Sequence, residues 1–312
     1  MRITAIDIGT NTILMVIADL REDGRIHTLR DEIAFPRLGK GVDNTGIISP
    51  DTIERVLSVM RGYKRISDSM ASDRIIACGT SALRDARNRD DLIRRISEEV
   101  AIETKVLTGD EEAIWTFAGA ITEFDDKNGP FAVIDIGGGS TEITLGSRHG
   151  VERKVSLDLG CVRLTERFLS SAPPSQRELD AAGTIVRQSL MELGDADGKK
   201  YKLVGVAGTA TTLAALDQQL QEFDGRAVSG YALSLERIES IFERLRCQTI
   251  EEIRSSPVVP EGRADVLLAG VLILKELMFL YHFDQLTVSS RGLRYGLLLR
   301  EFEGMKRLAS AK

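Results

Sequence analysis

The sequence predicts an α/β protein built from two copies of one domain, and two observations carry that reading. A strand running into small residues, Ala5-Ile6-Asp7-Ile8-Gly9, returns as Val133-Ile134-Asp135-Ile136-Gly137. Each copy then continues in the same order: a second apolar strand, a glycine-containing turn (Gly24; Gly150), a third strand, and alternating helix and strand patterns. A repeat this long is not a solenoid period. A β-β-β start followed by βα units predicts mixed sheets flanked by helices. The polar stretch Asp125-Asp126-Lys127-Asn128-Gly129-Pro130 reads as the linker. The expected domains are therefore 1–126 and 127–312.

In the first copy, Arg2 to Ile8, Thr12 to Leu20 and Arg25 to Ala34 are strand-like, with Asp23-Gly24 marking the second hairpin. A helix is expected from about Pro50 to Met70. Ser49 suits its N-cap, Pro50 its first position, and Ile53, Val56, Leu57 and Met60 its apolar stripe. A strand Arg74 to Cys78, a helix Arg89 to Val100, a strand Glu103 to Leu107 and a helix from Gly109 to Phe124 complete this half. In the second copy, helices are expected over Gly160 to Leu169, Ser175 to Leu193, Leu235 to Arg246 and Ala264 to Phe283. Strands are expected over Lys202 to Val206 and Gln285 to Ser289, and a last helix from Leu293.

The 312 residues are 43% hydrophobic and 28% charged, ordinary for a soluble globular chain with material for two cores. The net charge of −6 does not advertise nucleic acid or an anionic membrane as partner, so a polyanionic substrate would need a local basic cleft or a metal. Cys78, Cys161 and Cys247 fit no zinc or disulfide spacing and read as small buried hydrophobes. His27, His149 and His282 stand alone. The start MRITAIDIG carries no signal segment, and no apolar run approaches the ~18 residues of a membrane span. A cytoplasmic protein is expected.

The chemistry concentrates in two matched segments, Asp7-Ile8-Gly9-Thr10-Asn11-Thr12 and Asp135-Ile136-Gly137-Gly138-Gly139-Ser140-Thr141. Glycines let backbone N–H groups converge on an anion, Thr and Ser hydroxyls add donors, and an Asp at a strand end suits Mg²⁺ or its water shell. One such hairpin is commonly only a tight turn; two with Asp at the same place point to phosphate. A third turn, Gly205 through Gly208 and Thr209, lies between a strand and a helix, where an anion would suit the helix N-terminus, although alone it is a weak signal.

Two phosphate hairpins and a Gly-Thr turn resemble the actin/Hsp70/sugar-kinase superfamily. Within it the chain resembles the exopolyphosphatase/guanosine pentaphosphatase (Ppx/GppA) family over essentially its whole length. The residues carrying this are the Asp7 hairpin, Gly79-Thr80-Ser81-Ala82-Leu83-Arg84, Gly109-Asp110-Glu111-Glu112-Ala113, Asp135 to Glu142, Gly160 to Glu166, Gly205 to Thr212, Arg263-Ala264-Asp265 and Gly292-Leu293-Arg294. Departures are Ser229 where relatives often have His, and Ser290 and Tyr295 where many have Asp and Glu. Longer members carry a further C-terminal helical domain, and this sequence resembles the short ones.

The resemblance implies two actin-like (ribonuclease H-like) lobes with an interlobe cleft, the final helix crossing back to the first lobe. It implies hydrolysis of a terminal phosphate from polyphosphate or guanosine pentaphosphate, with Mg²⁺ or another divalent cation at Asp7 and Asp135. Neither nucleic acid nor membrane is an implied partner, and a homodimer is among the assemblies it allows. Its catalytic carboxylate falls on Glu112. Locally, Thr108 stands at capping-box spacing from Glu111, which gives Glu111 a structural task and leaves Glu112 for the site. Gly9, Thr10, Asn11, Thr12, Gly137, Gly138, Gly139, Ser140, Thr141, Gly208 and Thr209 are the expected phosphate contacts, with Arg84 as a cationic clamp. Arg163 and Arg294 either touch substrate or ion-pair within the second lobe. The Arg37-Leu38-Gly39-Lys40-Gly41 loop either meets the polyanion or is plain surface. Two rival functions are a phosphotransferase or ATPase of the same superfamily, and a non-enzymatic alarmone-binding regulator, which would not need Glu112.

Overall fold

A computed structural model describes residues 1–21, 25–125, 129–260 and 262–310, with side chains to residue 304. The Asp23-Gly24 turn and half of the expected linker, 126–128, lie outside the described residues. The chain forms two compact units, Met1–Gly119 with Leu293–Lys312, and Ala120–Gly292.

The first unit contains β1 (Arg2–Ile8), β2 (Ile13–Leu20), β3 (Ile26–Ala34), α1 (Val42–Thr45), α2 (Pro50–Ser69), β4 (Arg74–Gly79), α3 (Ser81–Asp85), α4 (Arg89–Val100), β5 (Thr104–Val106) and α5 (Gly109–Ala120). Among the described residues its sheet has five strands in the order β3-β2-β1-β4-β5. It is mixed: β1 pairs antiparallel with β2 and parallel with β4. Strand alternation sends Ile6 and Ile8 of β1 to one face, where they pack with Val56, Leu57 and Met60 of α2 and Ile96 of α4. Ile3 and Ala5 face the other way and pack with Leu293 and Leu297. Asp7 follows them by register, the one polar residue at the C-terminal end of an otherwise apolar β1 face. Ser49 caps α2 as the sequence predicts, accepting a bond from Thr52 N at 3.3 Å.

The second unit contains β6 (Phe131–Ile136), β7 (Thr141–Ser147), β8 (Gly150–Leu157), α6 (Cys161–Phe168), α7 (Gln176–Leu190), β9 (Lys202–Val206), α8 (Ala207–Asp217), α9 (Gly225–Val228), β10 (Ala232–Ser234), α10 (Leu235–Leu245), α11 (Ile250–Arg254), α12 (Leu267–Leu280) and β11 (Gln285–Val288). Its described strands run β10-β11-β9-β6-β7-β8, so the antiparallel β6-β7-β8 repeats β1-β2-β3 and β9 takes the place of β4. Its core gathers Ala132, Ile134 and Ile136 with α6, α7, α8, α10 and α12. The three-residue strand β10 and the short helices α9 and α11 are too brief for periodicity to reveal.

The last helix, α13 (Leu293–Ser310), belongs to the first unit and packs on β1 and β2. The first crossing of the chain falls between Gly119 and Ala120 rather than at 126/127. Glu123 explains the shift. Its carboxylate accepts from Ser229 Oγ at 2.8 Å and from Ser290 N at 3.2 Å, binding the turn after α5 into the second unit. Arg294 ion-pairs with Asp31 and donates to Met15 O at 3.2 Å, contacts of the first unit and not of the second as the sequence suggested. Tyr295 OH meets Thr28 Oγ1 at 3.0 Å, which gives that departure a packing role. Cys78 and Cys161 are buried, whereas Cys247 is exposed. No helix among the described residues is long and apolar enough to cross a membrane.

Candidate active site

The first hairpin closes tightly. Gly9 N donates to Thr12 O at 2.9 Å, and a Cβ on Gly9 would stand 3.0 Å from that oxygen. The carbonyls at its tip are occupied: Gly39 N donates to Thr10 O at 2.7 Å and Arg37 N to Asn11 O at 3.2 Å. In a planar trans peptide the N–H points opposite to the C=O. Fixing these two carbonyls therefore turns the N–H groups of Asn11 and Thr12 the other way, the orientation an anion nest requires. Thr10 and Asn11 are themselves buried, and Asp7 and Thr12 are half-buried.

The second hairpin is built by the same logic with a different partner. Gly137 N donates to Ser140 O at 3.0 Å. The first N–H groups of α6, which have no acceptor within their own helix, take the hairpin carbonyls instead. Cys161 N reaches Gly137 O at 2.9 Å, Val162 N reaches Gly138 O at 2.8 Å and Arg163 N the same oxygen at 3.1 Å. The N–H groups of Gly138 and Gly139 then point away from α6. Gly160 makes this approach feasible, because a Cβ there would overlap the Gly138 carbonyl and Gly139 N. Asp135 is half-buried and Ser140 buried. Thr141 differs from expectation. Its hydroxyl donates to Leu159 O at 2.5 Å, so its one O–H is committed to the fold rather than to phosphate.

The third turn holds a residue that motif reading passed over. Gly208 faces Arg263, whose guanidinium occupies the space a Gly208 Cβ would need. Arg263 is 7% exposed. Burial pulls its guanidinium below the usual arginine range, while the charges of Cys161 and Asp135 act in the opposite direction. The signal was the Arg263-Ala264-Asp265 motif, but only the packing shows which glycine the arginine serves. Thr209 is buried, and a Cβ on Gly270 of α12 would overlap its hydroxyl, so what Thr209 offers a ligand is its backbone N–H.

In the first unit, Glu112 opens α5 with its N–H on Thr108 O at 3.0 Å. Its neighbour Glu111 completes the capping box, with Glu111 N to Thr108 Oγ1 at 3.1 Å and Thr108 N to Glu111 Oε2 at 3.0 Å. Lys105 Nζ adds a bond to Glu111 Oε1 at 2.6 Å. These partners hold the Glu111 carboxyl below the ordinary carboxylate range, Lys105 contributing most and the Thr108 amide next. Glu112 is shifted in the opposite direction. It is 7% exposed, and burial raises its carboxyl above the ordinary range, with Arg84 offsetting part of the rise. Arg84 Nη1 lies 2.6 Å from Glu112 Oε2 and 3.1 Å from Leu107 O. The sequence expected Arg84 to clamp substrate; the structure shows it bonded to the candidate base.

Among the described residues no three or more His, Cys, Asp or Glu side chains gather as a metal cluster. A single aspartate in each unit is nevertheless the kind of donor Mg²⁺ accepts, since the ion typically takes one or two carboxylates and completes its shell with water and substrate phosphate. Asp7 and Asp135 occupy the equivalent place in the two units. Each is the last residue but one of a central strand, two residues before a glycine whose Cβ would stand 3.0 Å from the backbone carbonyl that closes the hairpin.

These features agree with known proteins. The model of the Ppx/GppA phosphatase family matches residues 16–304. Exopolyphosphatase 2 of Mycobacterium tuberculosis H37Rv is 36% identical over 96% of this chain and 98% of its own length. The crystal structure of the Aquifex aeolicus Ppx/GppA family member superposes with a TM-score of 0.83 at 31% identity, covering 98% of each chain. An exopolyphosphatase structure from Cytophaga hutchinsonii gives 0.89 at 29% identity, covering 97% of this chain and 98% of its own. By sequence and fold, the chain belongs to the Ppx/GppA phosphatase family, hydrolases on an actin-like α/β fold.

Proposed function

We propose that this protein is an exopolyphosphatase that releases terminal orthophosphate from inorganic polyphosphate, with Glu112 as general base. The observation that carries this is the state of Glu112: a buried carboxylate, raised in pKa, aimed by a single arginine at the start of a helix. A raised carboxylate is a stronger base, and one held by one oxygen is already oriented. Arg84 occupies Oε2, leaving Oε1 to accept a proton from the attacking water. Within each unit the hairpin N–H groups, those of Asn11 and Thr12 in the first and of Gly138 and Gly139 in the second, are donors suited to phosphoryl oxygens, and such donors stabilise charge as it redistributes during in-line attack. Arg263 adds a buried positive charge beside the Gly208 turn.

The family's hydrolysis is generally divalent-metal dependent. The ion would be Mg²⁺, with Asp7 of the first unit and Asp135 of the second as the candidate carboxylate ligands. When bound it offsets negative charge on the phosphoryl oxygens. The curated relative named above is called an exopolyphosphatase, which favours polyphosphate over guanosine pentaphosphate as the substrate to test first.

The test is orthophosphate release from long-chain polyphosphate and from guanosine pentaphosphate, side by side with Mg²⁺. Release from polyphosphate is expected. Release from neither would leave the binding-protein reading; release from the nucleotide alone would reassign the substrate.

A further inference from the structure

We infer that Gly39 is a positioning residue for the first phosphate hairpin, and that the Arg37–Gly41 loop works as the counterpart of the α6 N-terminus in the second unit. The inference rests on the phosphate-handling reading above and adds an element that reading does not contain. Both hairpins need their tip carbonyls fixed before their N–H groups can converge on an anion. In the second unit a helix start does this, with Gly160 allowing the close approach. The first unit has no helix at that place and uses a loop.

The loop meets the hairpin at backbone level. Gly39 N bonds Thr10 O at 2.7 Å and Arg37 N bonds Asn11 O at 3.2 Å. Gly39 stands so near that a Cβ would overlap Thr10 Cγ2 and come within 3.3 Å of Ala82 Cβ. Leu38, fully buried, anchors the loop between these two bonds. Arg37 adopts φ 57°, a left-handed conformation that non-glycine residues seldom take. That conformation turns its N–H onto the hairpin. These two bonds are made by the backbone and not by the side chains of Arg37 and Lys40.

Thr10 itself provides the rescue. Replacing Thr10 by Ser keeps the hydroxyl and deletes the methyl that a residue-39 Cβ would strike. Binding is read without turnover by titrating sodium tripolyphosphate with Mg²⁺ into the Glu112→Gln protein by calorimetry. KM and kcat for polyphosphate are read in the otherwise native protein, and Tm in both. Gly39→Ala is expected to raise Kd and KM ~10-fold or more, as charge-assisted N–H bonds to phosphate are misaligned, while kcat changes less than ~3-fold. Adding Thr10→Ser is expected to bring Kd back to within ~3-fold of the value for Thr10→Ser alone. Should Gly39→Ala fail to fold, Arg37→Val and Arg37→Gly make the same comparison. A β-branched residue resists positive φ and should weaken binding, whereas glycine should not.

The inference is overturned if Gly39→Ala lowers Tm and leaves Kd and KM alone, or if Thr10→Ser restores Tm without restoring Kd. It is also overturned if Arg37→Gly weakens binding as much as Arg37→Val, because side-chain charge would then be the cause, or if Glu112→Gln protein binds no tripolyphosphate. A native protein that releases no orthophosphate, yet shows the Gly39 and Thr10 pattern in Kd, would sink the proposed activity and leave this inference standing.

Discussion

Arg84 Nη1 lies 2.6 Å from Glu112 Oε2, and the same nitrogen lies 3.1 Å from Leu107 O. One guanidinium nitrogen thus joins α3, the end of β5 and the first turn of α5. Burial makes the charged form of Glu112 costly, and Arg84 returns part of that cost. The pair holds a base in one orientation without lowering its basicity to that of a solvated carboxylate.

The paired glutamates should separate cleanly by substitution. Glu112→Gln keeps shape and loses basicity, so kcat is expected to fall ~10²–10⁴-fold with little change in KM. Glu111→Gln keeps kcat and costs stability on the order of 1 kcal/mol through the weakened capping box and the lost Lys105 bond. The Glu111 carboxyl is depressed in the folded state, so its contribution is present above the unfolded pKa and lost as pH falls through the lower, folded value. Tm of the two variants at neutral and acid pH, beside steady-state rates, checks both halves. An inactive Glu111→Gln with an active Glu112→Gln would exchange the roles.

The raised Glu112 carboxyl sets the acid limb of the rate profile. The base works ionised, so kcat should climb with pH through a value above the ordinary carboxylate range. Arg84→Gln removes the positive charge that offsets burial. The limb should then move to still higher pH, and kcat on the plateau should fall by up to ~10²-fold as the carboxylate loses its orientation. A profile that does not shift would mean that another group titrates in the rate.

Much of this was legible in the sequence because it rests on local rules. The doubled Asp-Gly hairpins, the Ser49 cap and the Thr108/Glu111 box are contained in short segments, and short-range geometry reproduces them. What the sequence did not disclose depends on pairs far apart in the chain. Arg84 reads in the sequence as a substrate clamp, and its bond to Glu112, 28 positions away, could not be read there. Arg263 could not be assigned to the Gly208 turn from a motif so much later in the chain. Thr141 and Thr209 carry the residue types that phosphate sites use, yet one hydroxyl is spent on Leu159 O and the other is packed against Gly270.

Metal dependence provides another test. Asp135→Asn removes one negative oxygen donor while preserving the strand end. The Mg²⁺ concentration for half-maximal activity should rise ~10-fold or more, and kcat at saturating Mg²⁺ should also fall. Full activity of the native protein in excess chelator would exclude the metal role for both Asp135 and Asp7.

The Gly208 contact makes a stability claim. Any side chain at 208 must displace the Arg263 guanidinium, which is enclosed and has little room to yield. Gly208→Ala should cost ~1–3 kcal/mol by overpacking and raise KM by moving the buried charge. Gly225→Ala serves as the control, because its Cβ would meet nothing within 4 Å. Equal Tm for the two variants would contradict the close packing.

Substrate choice follows from where positive charge and space are found. A guanine base needs a mostly apolar slot with a few placed polar groups. At the third turn the face Gly208 offers is taken by Arg263, and the Thr209 side chain is buried. Ser229, where relatives often have His, spends its hydroxyl on Glu123, whose carboxylate also lies 3.6 Å from Arg291. A phosphate chain asks only for amides and cations; on the proposed reading each hairpin would offer amides and Arg263 a cation. The protein carries a net charge of −6, so attraction of a polyanion must come from local positive groups acting against the overall field. Such attraction is screened over ~10 Å at 0.1 M salt. KM for long polyphosphate should therefore rise with ionic strength while kcat holds, and kcat/KM for polyphosphate should exceed that for guanosine pentaphosphate at each salt concentration. Steady-state rates on both substrates across a potassium chloride series decide it. A nucleotide preference that persists at every concentration would show that a base-recognising surface exists outside the three turns, and the physiological substrate would then be the nucleotide.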